Sequence, residues 1–151
     1  PFGTEAMHVL RAEVGFIMVG QETDGTVIPE DAGMGWAISK VKPDFVGKRS
    51  LARPDMTLSN RKQLVGLLTN NPNIVLDEGA QITEAPNTRS IGHVTSSYWS
   101  DALQRSIALA MIEGGRDRKG AELVSPMPHL AHAVTVVDPV FIDPDGERLN
   151  G

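Results

Sequence analysis

Short stretches with strand character recur at regular spacing after residue 62, and this spacing constrains the fold more than any other feature of the sequence. Strong turn signals separate the stretches, for example Asn70-Asn71-Pro72-Asn73 and Gly114-Gly115. Such a pattern predicts a small antiparallel barrel or sandwich, and we favour the barrel. The predicted strands are Lys62–Leu68, Ala80–Thr83, Ser90–Ser97, Ser106–Glu113, Glu122–Val124 and Ala131–Val137.

The chain before these strands has a different character. Residues 4–14 predict a helix, because Thr4 can cap its start and apolar residues recur at helical spacing. Residues 16–46 show no lasting period. Within and after them, we interpret Trp36–Ile38 as a short buried strand and Gly47–Ala52 as a short helix.

These patterns together predict a mainly β protein that is α+β overall. We expect a helical and irregular lead-in over residues 1–58, and a C-terminal β-barrel domain over residues 59–151. The chain opens at Pro1 without an initiator Met and enters the helical pattern almost at once. We therefore expect it to be a piece of a longer protein.

Composition excludes several classes of function. The net charge is −5 and Lys and Arg do not cluster, which argues against a nucleic-acid partner. No apolar run reaches the ~18 residues that a membrane span needs, so no membrane partner is predicted. The chain has no Cys, which fits a reducing compartment, and we expect a cytoplasmic location.

The residues that could carry chemistry form no catalytic motif. His93, Ser96 and Asp101 lack a nucleophile elbow, so no catalytic residue is predicted. No acid beside His129 and His132 completes a metal ligand set, so no metal site is predicted either. A different signal comes from positions 11 and 13 of the predicted helix, Arg and Glu, which cannot face each other at that spacing. Each needs its own partner, and for Arg11 both interdomain packing and direct ligand contact are open.

Three segments carry further information. The first is LRAEVG at residues 10–15, followed by Gly20, Pro29 and Trp36; the second is KPDFVGK at residues 42–48. The third starts with GHVTSS at residue 92 and continues to IALA at residues 107–110. In order and spacing these segments resemble motifs of the glycine cleavage T-protein superfamily, of which the chain is identified as a member. Residues 42–51 and the ending 143–151 are most similar to alpha subunits of heterotetrameric sarcosine oxidases.

This resemblance implies a tetrahydrofolate-dependent one-carbon enzyme. Oxidation of sarcosine would release the one-carbon unit, which would be captured as 5,10-methylenetetrahydrofolate, with flavin and NAD in the full complex. The implied partners are the rest of the same chain, the other oxidase subunits and a small-molecule substrate. A related aminomethyltransferase or demethylase, and a non-catalytic scaffold barrel, are the alternatives.

The resemblance also implies candidate folate-binding residues, which are Arg11, Glu13, Trp36 and Tyr98. For Trp36 we favour packing in the core over contact with a flat ring. Tyr98 is predicted to lie in a loop after the third strand, where an exposed aromatic pair with Trp99 or the rim of a cleft are both open.

The sequence departs from the family pattern at several positions. Met7 stands where the family has a folate-contacting Arg, Ser97 replaces a Gly and Asp101 replaces a Pro. The C-terminal ligand-contacting Tyr of the family falls near Glu147. By resemblance, the catalytic Asp and the pteridine-binding Glu precede residue 1. We therefore expect this piece to be inactive alone.

Overall fold

The computed structural model of the chain describes residues 3–128 and 130–149, and most of its second half is a closed antiparallel barrel of six strands. All six predicted strands are confirmed, and the third runs further than predicted, to Ser100. The strands are β1 Lys62–Thr69, β2 Gln81–Thr83, β3 Ser90–Ser100, β4 Arg105–Glu113, β5 Glu122–Pro126 and β6 Ala131–Val137.

The strands follow the order β1-β4-β3-β2-β5-β6 around the barrel. Pairing of β1 with β6, from Gly66↔Val137 to Thr69↔Val134, closes the barrel. Every neighbouring pair is antiparallel. Closure leaves neither β1 nor β6 as a free edge, which is how barrels avoid unpaired backbone groups.

Strand β4 is buried on both of its faces, which explains why its sequence is an unbroken apolar run instead of an alternating one. Ala108, Ala110 and Ile112 point into the barrel and join its central core. Between them, Ile107, Leu109 and Met111 point outward into a second cluster. This outer cluster includes Ala12 from the N-terminal helix, so the helix covers one outer face of the barrel.

The elements before the barrel are short. Helix α1 spans Thr4–Glu13, as predicted, but its N-cap is Gly3 and no side chain caps it, so the expected capping role of Thr4 is wrong. Helix α2 spans Lys48–Leu51 and confirms the predicted short helix. The predicted strand at Trp36–Ile38 is wrong: Gly35–Ala37 forms one turn of 3-10 helix with no buried residue. Further 3-10 turns lie at Pro54–Met56, Gly115–Arg118 and Glu147–Leu149.

Candidate functional site

A buried ion pair joins α1 to the loop that follows it. Arg11 is 8% exposed, and its Nη1 donates to Oε2 of Glu22 at 2.7 Å. The same nitrogen donates to the carbonyl of Phe16 at 3.2 Å. Nη2 donates to Gln21 Oε1 and to Ser96 Oγ, each at 2.5 Å. Because Ser96 belongs to β3, the guanidinium fastens the helix to the barrel as well as to the loop.

Glu22 is 1% exposed and balances this cation. Its Oε1 accepts from Thr95 Oγ1 at 3.0 Å and from Ser96 Oγ at 2.5 Å, while its Oε2 accepts from the Met18 amide at 2.8 Å. A buried carboxylate is tolerated only when a cation and several donors offset its lost hydration, and Glu22 has both. Sequence reasoning missed this residue, because an acid inside the polar turn at residues 21–25 looks solvated.

A β-bulge makes the double contact to Glu22 possible. In a regular strand Thr95 and Ser96 would point to opposite faces. The register of β3 against β4 shifts between Val94 and Ser96, and a bulge re-aims side chains in this way. Both hydroxyls consequently reach the same oxygen of Glu22. Alternation along the sequence cannot reveal such a shift.

Glu13 has a separate set of partners, as its spacing from Arg11 predicted. It is 6% exposed, and its Oε1 accepts from Ser100 Oγ at 2.6 Å. Its backbone carbonyl accepts from the amides of Phe141 and Ile142, each at 2.9 Å. The end of α1 is thus bound to β3 and to the segment that follows the barrel.

Tyr98 lies within β3, so the prediction that it belongs to a loop after the third strand is wrong. The strand continues to Ser100, and the ring of Tyr98 is 9% exposed. The guanidinium carbon of Arg11 lies 5.9 Å from the ring centroid, and the ring of His8 packs edge-on at 6.3 Å. The hydroxyl donates to Glu78 at 3.3 Å. The ring of Tyr98 therefore packs against the Arg11 guanidinium and helps to fix its position.

Trp36 is 80% exposed, so the expectation that it fills the core is wrong. Among the described residues, no hydrogen bond, ion pair or ring contact joins it to the other three candidate folate residues. The structure brings Arg11 of α1 into contact with Tyr98 of β3, and Glu13 lies two residues after Arg11 on α1. Trp36 offers a free aromatic ring from a different part of the N-terminal segment.

A second, partly buried ion pair joins the N-terminal segment to the start of β1. Arg61 Nε donates to both carboxylate oxygens of Asp31 at 3.1 and 3.0 Å, and Nη2 donates at 2.5 Å. These hydrogen bonds are the main cause of the raised pKa of Arg61. A backbone hydrogen bond strengthens the same connection: the amide of Leu64 donates to the Asp31 carbonyl at 2.8 Å.

A polar cleft of about 200 Å³ lies between the two ion pairs. His93 lines it, and burial, followed by the charge of Lys62, lowers the pKa of this imidazole. Hydrogen bonds from Thr26, first from its hydroxyl and then from its amide, lower the pKa of Asp24 on the same wall. The cleft thus presents to solvent a neutral imidazole that can accept a hydrogen bond near pH 7.

Within residues 3–128 and 130–149, no three His, Asp or Glu side chains are arranged to hold a metal ion. His129, considered above as a metal ligand, lies outside the described residues. None of the helices seen in this part of the chain is long and apolar enough to cross a membrane.

The barrel and the helix that covers it match two known family models. Residues 62–143 match the glycine cleavage T-protein C-terminal barrel domain, and residues 1–42 match the GCVT N-terminal domain. The chain therefore belongs to the glycine cleavage T-protein family, as the sequence motifs predicted. The aminomethyltransferase T of the Bartonella henselae glycine cleavage system shares the fold, with a TM-score of 0.79 and 22% identity. The match covers 94% of this chain and 39% of that one.

Several curated relatives are more similar in sequence. Sarcosine oxidase subunit alpha of Corynebacterium sp. (strain U-96) is 49% identical across 100% of this chain. The subunit alpha of Rhizobium meliloti (strain 1021) is 37% identical across 99% of it. An aminomethyltransferase of Nitrosomonas europaea is 34% identical across 76% of this chain and 31% of its own length. The chain spans only 16% of the length of either sarcosine oxidase relative.

Proposed function

We propose that this chain is the C-terminal piece of a sarcosine oxidase alpha subunit, a folate-dependent one-carbon enzyme. The observation that carries the proposal is the 49% identity to the Corynebacterium subunit over the whole chain. Identity to the Nitrosomonas aminomethyltransferase is lower, at 34%, and extends over less of the chain. In the proposed reaction sarcosine is oxidatively demethylated, and the one-carbon unit is captured as 5,10-methylenetetrahydrofolate.

The described residues do not fit tetrahydrofolate as a complete site. A ligand of that size needs a pocket of roughly 300–1,000 Å³ with a few convergent polar groups. The polar cleft holds only about 200 Å³, and the larger groove of about 570 Å³ beside α1 is open to solvent and mostly apolar in its lining. Arg11 and Glu13 already direct their charged groups at Ser96 and Ser100 of the barrel, and Arg11 Nε is the one buried guanidinium atom of that residue without a partner.

This chain would instead form one wall of a larger site. Arg11, Glu13 and Tyr98 would contribute by fixing the position of that wall, since all three are buried and bonded to their neighbours. Trp36 would contribute its exposed ring, whose flat face can stack on a heteroaromatic ligand. Within the wall, residues 1–58 would form the end of the folate-binding region and residues 59–151 would form the C-terminal barrel domain.

The remaining parts of the reaction would lie elsewhere. Flavin and NAD would be bound by other regions of the complex, and the rest of the alpha chain and the other oxidase subunits would be its partners. The piece alone would then be inactive. An aminomethyltransferase or demethylase role is the second candidate, because the barrel model and the Nitrosomonas relative belong to the same family. Whether the parent protein is an oxidase or an aminomethyltransferase, the isolated piece would have only a structural role, as a scaffold barrel.

Exchange of this chain into a relative tests the function. In the Corynebacterium sp. (strain U-96) subunit alpha, the region aligned with this chain would be replaced by residues 1–151, and the hybrid would be produced with its partner subunits. We expect sarcosine-dependent formation of 5,10-methylenetetrahydrofolate when tetrahydrofolate is supplied. The unaltered Corynebacterium enzyme is the matched control. Sarcosine oxidation that yields only free formaldehyde, while the control forms the folate product, would contradict the proposed role of this chain.

A further inference from the structure

The polar cleft between the two ion pairs holds charges of both signs that the chain does not pair. Of the charged side chains that line it, Glu22 belongs to the first ion pair, and Asp31 and Arg61 form the second. The remaining two, Lys62 and Asp24, form no ion pair among the described residues, either with each other or with a third group. Opposite charges that line one cleft without meeting leave room between them for a ligand that carries both.

The strand register fixes where the barrel places its part of the cleft. Leu64 of β1, Met111 of β4 and His93 of β3 are direct neighbours across the three strands. Met111 points to the outer face of the barrel and is 3% exposed. Lys62 lies two residues before Leu64 and therefore on the same face of β1. Lys62 and His93 thus flank an apolar floor that Met111 provides.

The loop after α1 forms a further wall and contributes the negative group. Asp24 Oδ1 accepts from the hydroxyl and from the amide of Thr26, each at 2.7 Å. These bonds hold the carboxylate in place and lower its pKa, so that it stays ionised. Because a carboxylate has about four acceptor positions, Asp24 can still accept from a ligand.

His93 completes the set of groups that a ligand could use. Its imidazole forms no hydrogen bond with any other described residue. Burial and then the charge of Lys62 lower the pKa of His93, whereas the charge of Asp24 acts in the opposite direction, so both charges lie near the ring. A neutral imidazole has one donor and one acceptor, and it can serve either end of a bound molecule.

We propose that this cleft binds a small zwitterion, an α-amino acid of the size of glycine or sarcosine. Its carboxylate accepts from the Lys62 ammonium, its own ammonium group donates to Asp24, and its carbon atoms lie over Met111. At about 200 Å³ the cleft is smaller than the roughly 300–1,000 Å³ of sites for drug-sized ligands, which limits the ligand to a few heavy atoms. An anion alone would be repelled by Asp24, and a cation alone by Lys62.

This binding goes beyond the proposed function, because it needs neither folate nor a redox cofactor. Titration of the chain with glycine, followed by two-dimensional amide NMR spectra, tests it. We expect saturable shifts at Thr26, Lys62 and His93 with a roughly millimolar dissociation constant, a reasonable strength for so small a ligand. Acetate and methylammonium each carry one of the two charges, and each should bind at least about tenfold more weakly.

Two substitutions remove one charge each. Lys62→Met and Asp24→Asn should each weaken glycine binding by about tenfold or more, the usual effect of losing a hydrogen bond to a charged group. The side-chain oxygen of the asparagine can still accept from Thr26, so the loop should keep its conformation. Lys40→Met is the matched control, because Lys40 is exposed and does not line the cleft, and it should leave the affinity unchanged.

The absence of saturable shifts with glycine would overturn the site, as would glycine binding that persists in both Lys62→Met and Asp24→Asn. Inorganic phosphate that binds more tightly than glycine, and more tightly still to Asp24→Asn, would assign the cleft to an anion and overturn the zwitterion. The amide spectrum of each variant shows whether it has folded. The comparison of glycine with acetate and methylammonium needs no substitution, so equal affinities there would overturn the proposal even if a variant did not fold.

Discussion

Replacement of Arg11 by Met should lower the free energy of unfolding by about 3–5 kcal/mol, the usual cost of leaving one partner of a buried ion pair without the other. Methionine preserves much of the side-chain length but donates no hydrogen bond. Glu22, 1% exposed, would keep its hydroxyl and amide donors and lose the one cation that pairs with it within the described part of the chain. Urea unfolding followed by circular dichroism measures the change.

A double-mutant cycle separates this coupling from a general loss of packing. Glu22→Gln removes the charge that Arg11 balances, and its amide oxygen can still accept from Thr95 or Ser96. We expect Arg11→Met to cost about 0.5–3 kcal/mol less in that background, the range measured for residues in one network. Additive effects would contradict the coupling.

An exposed ion pair supplies the matched control. Arg53 and Asp55 are 3.1 Å apart, and both side chains are more than half exposed. Arg53→Met should leave the urea midpoint unchanged, because water and salt screen such a pair. If Arg11→Met behaved in the same way, the Arg11 pair would not fasten the helix to the barrel.

Replacement of Gly92 by Ala should cost about 3 kcal/mol or more, the upper end of the range for an overpacked interior. A Cβ at this position would overlap the carbonyl oxygen of Met111 and lie 2.9 Å from the Cα of Ile112. Both obstacles are backbone atoms of β4, which is held on either side by β1 and β3. Since neither atom can rotate away, the barrel itself would have to open.

Gly25 provides the control for this substitution. No atom lies within 4 Å of a Cβ built on Gly25, and its backbone conformation is not left-handed. Gly25→Ala should therefore leave stability unchanged or raise it slightly, through the smaller freedom of the unfolded chain. Thermal unfolding of the two variants makes the comparison. A Gly92→Ala midpoint equal to that of Gly25→Ala would show that the two strands do not approach as closely as described.

The barrel was predictable because its signals are local. Each strand is bounded by turn residues that favour chain reversal, such as Asn70-Asn71-Pro72-Asn73. Their turn propensity does not depend on distant contacts. The unbroken apolar run of β4 was also readable as a strand. The sequence does not reveal that α1 covers the outer face of β4, because the covering residues lie nearly 100 positions earlier in the chain.

The candidate site was predictable only in part. The spacing of Arg11 and Glu13 required separate partners, and the structure supplies them. Glu22 was missed because its burial depends on a bulge in β3, more than 70 residues away. Trp36 was assigned to the core on residue type alone, whereas the turn of 3-10 helix that carries it has no buried residue.

Calorimetric titration with tetrahydrofolate tests most directly whether these residues form one wall of a folate site. The free chain should show no submicromolar binding, because Arg11 and Glu13 bond to the barrel, the polar cleft holds only about 200 Å³, and the larger groove beside α1 is open to solvent and mostly apolar. The hybrid Corynebacterium subunit, which supplies the missing walls, should bind saturably. Submicromolar binding to the free chain would contradict the account.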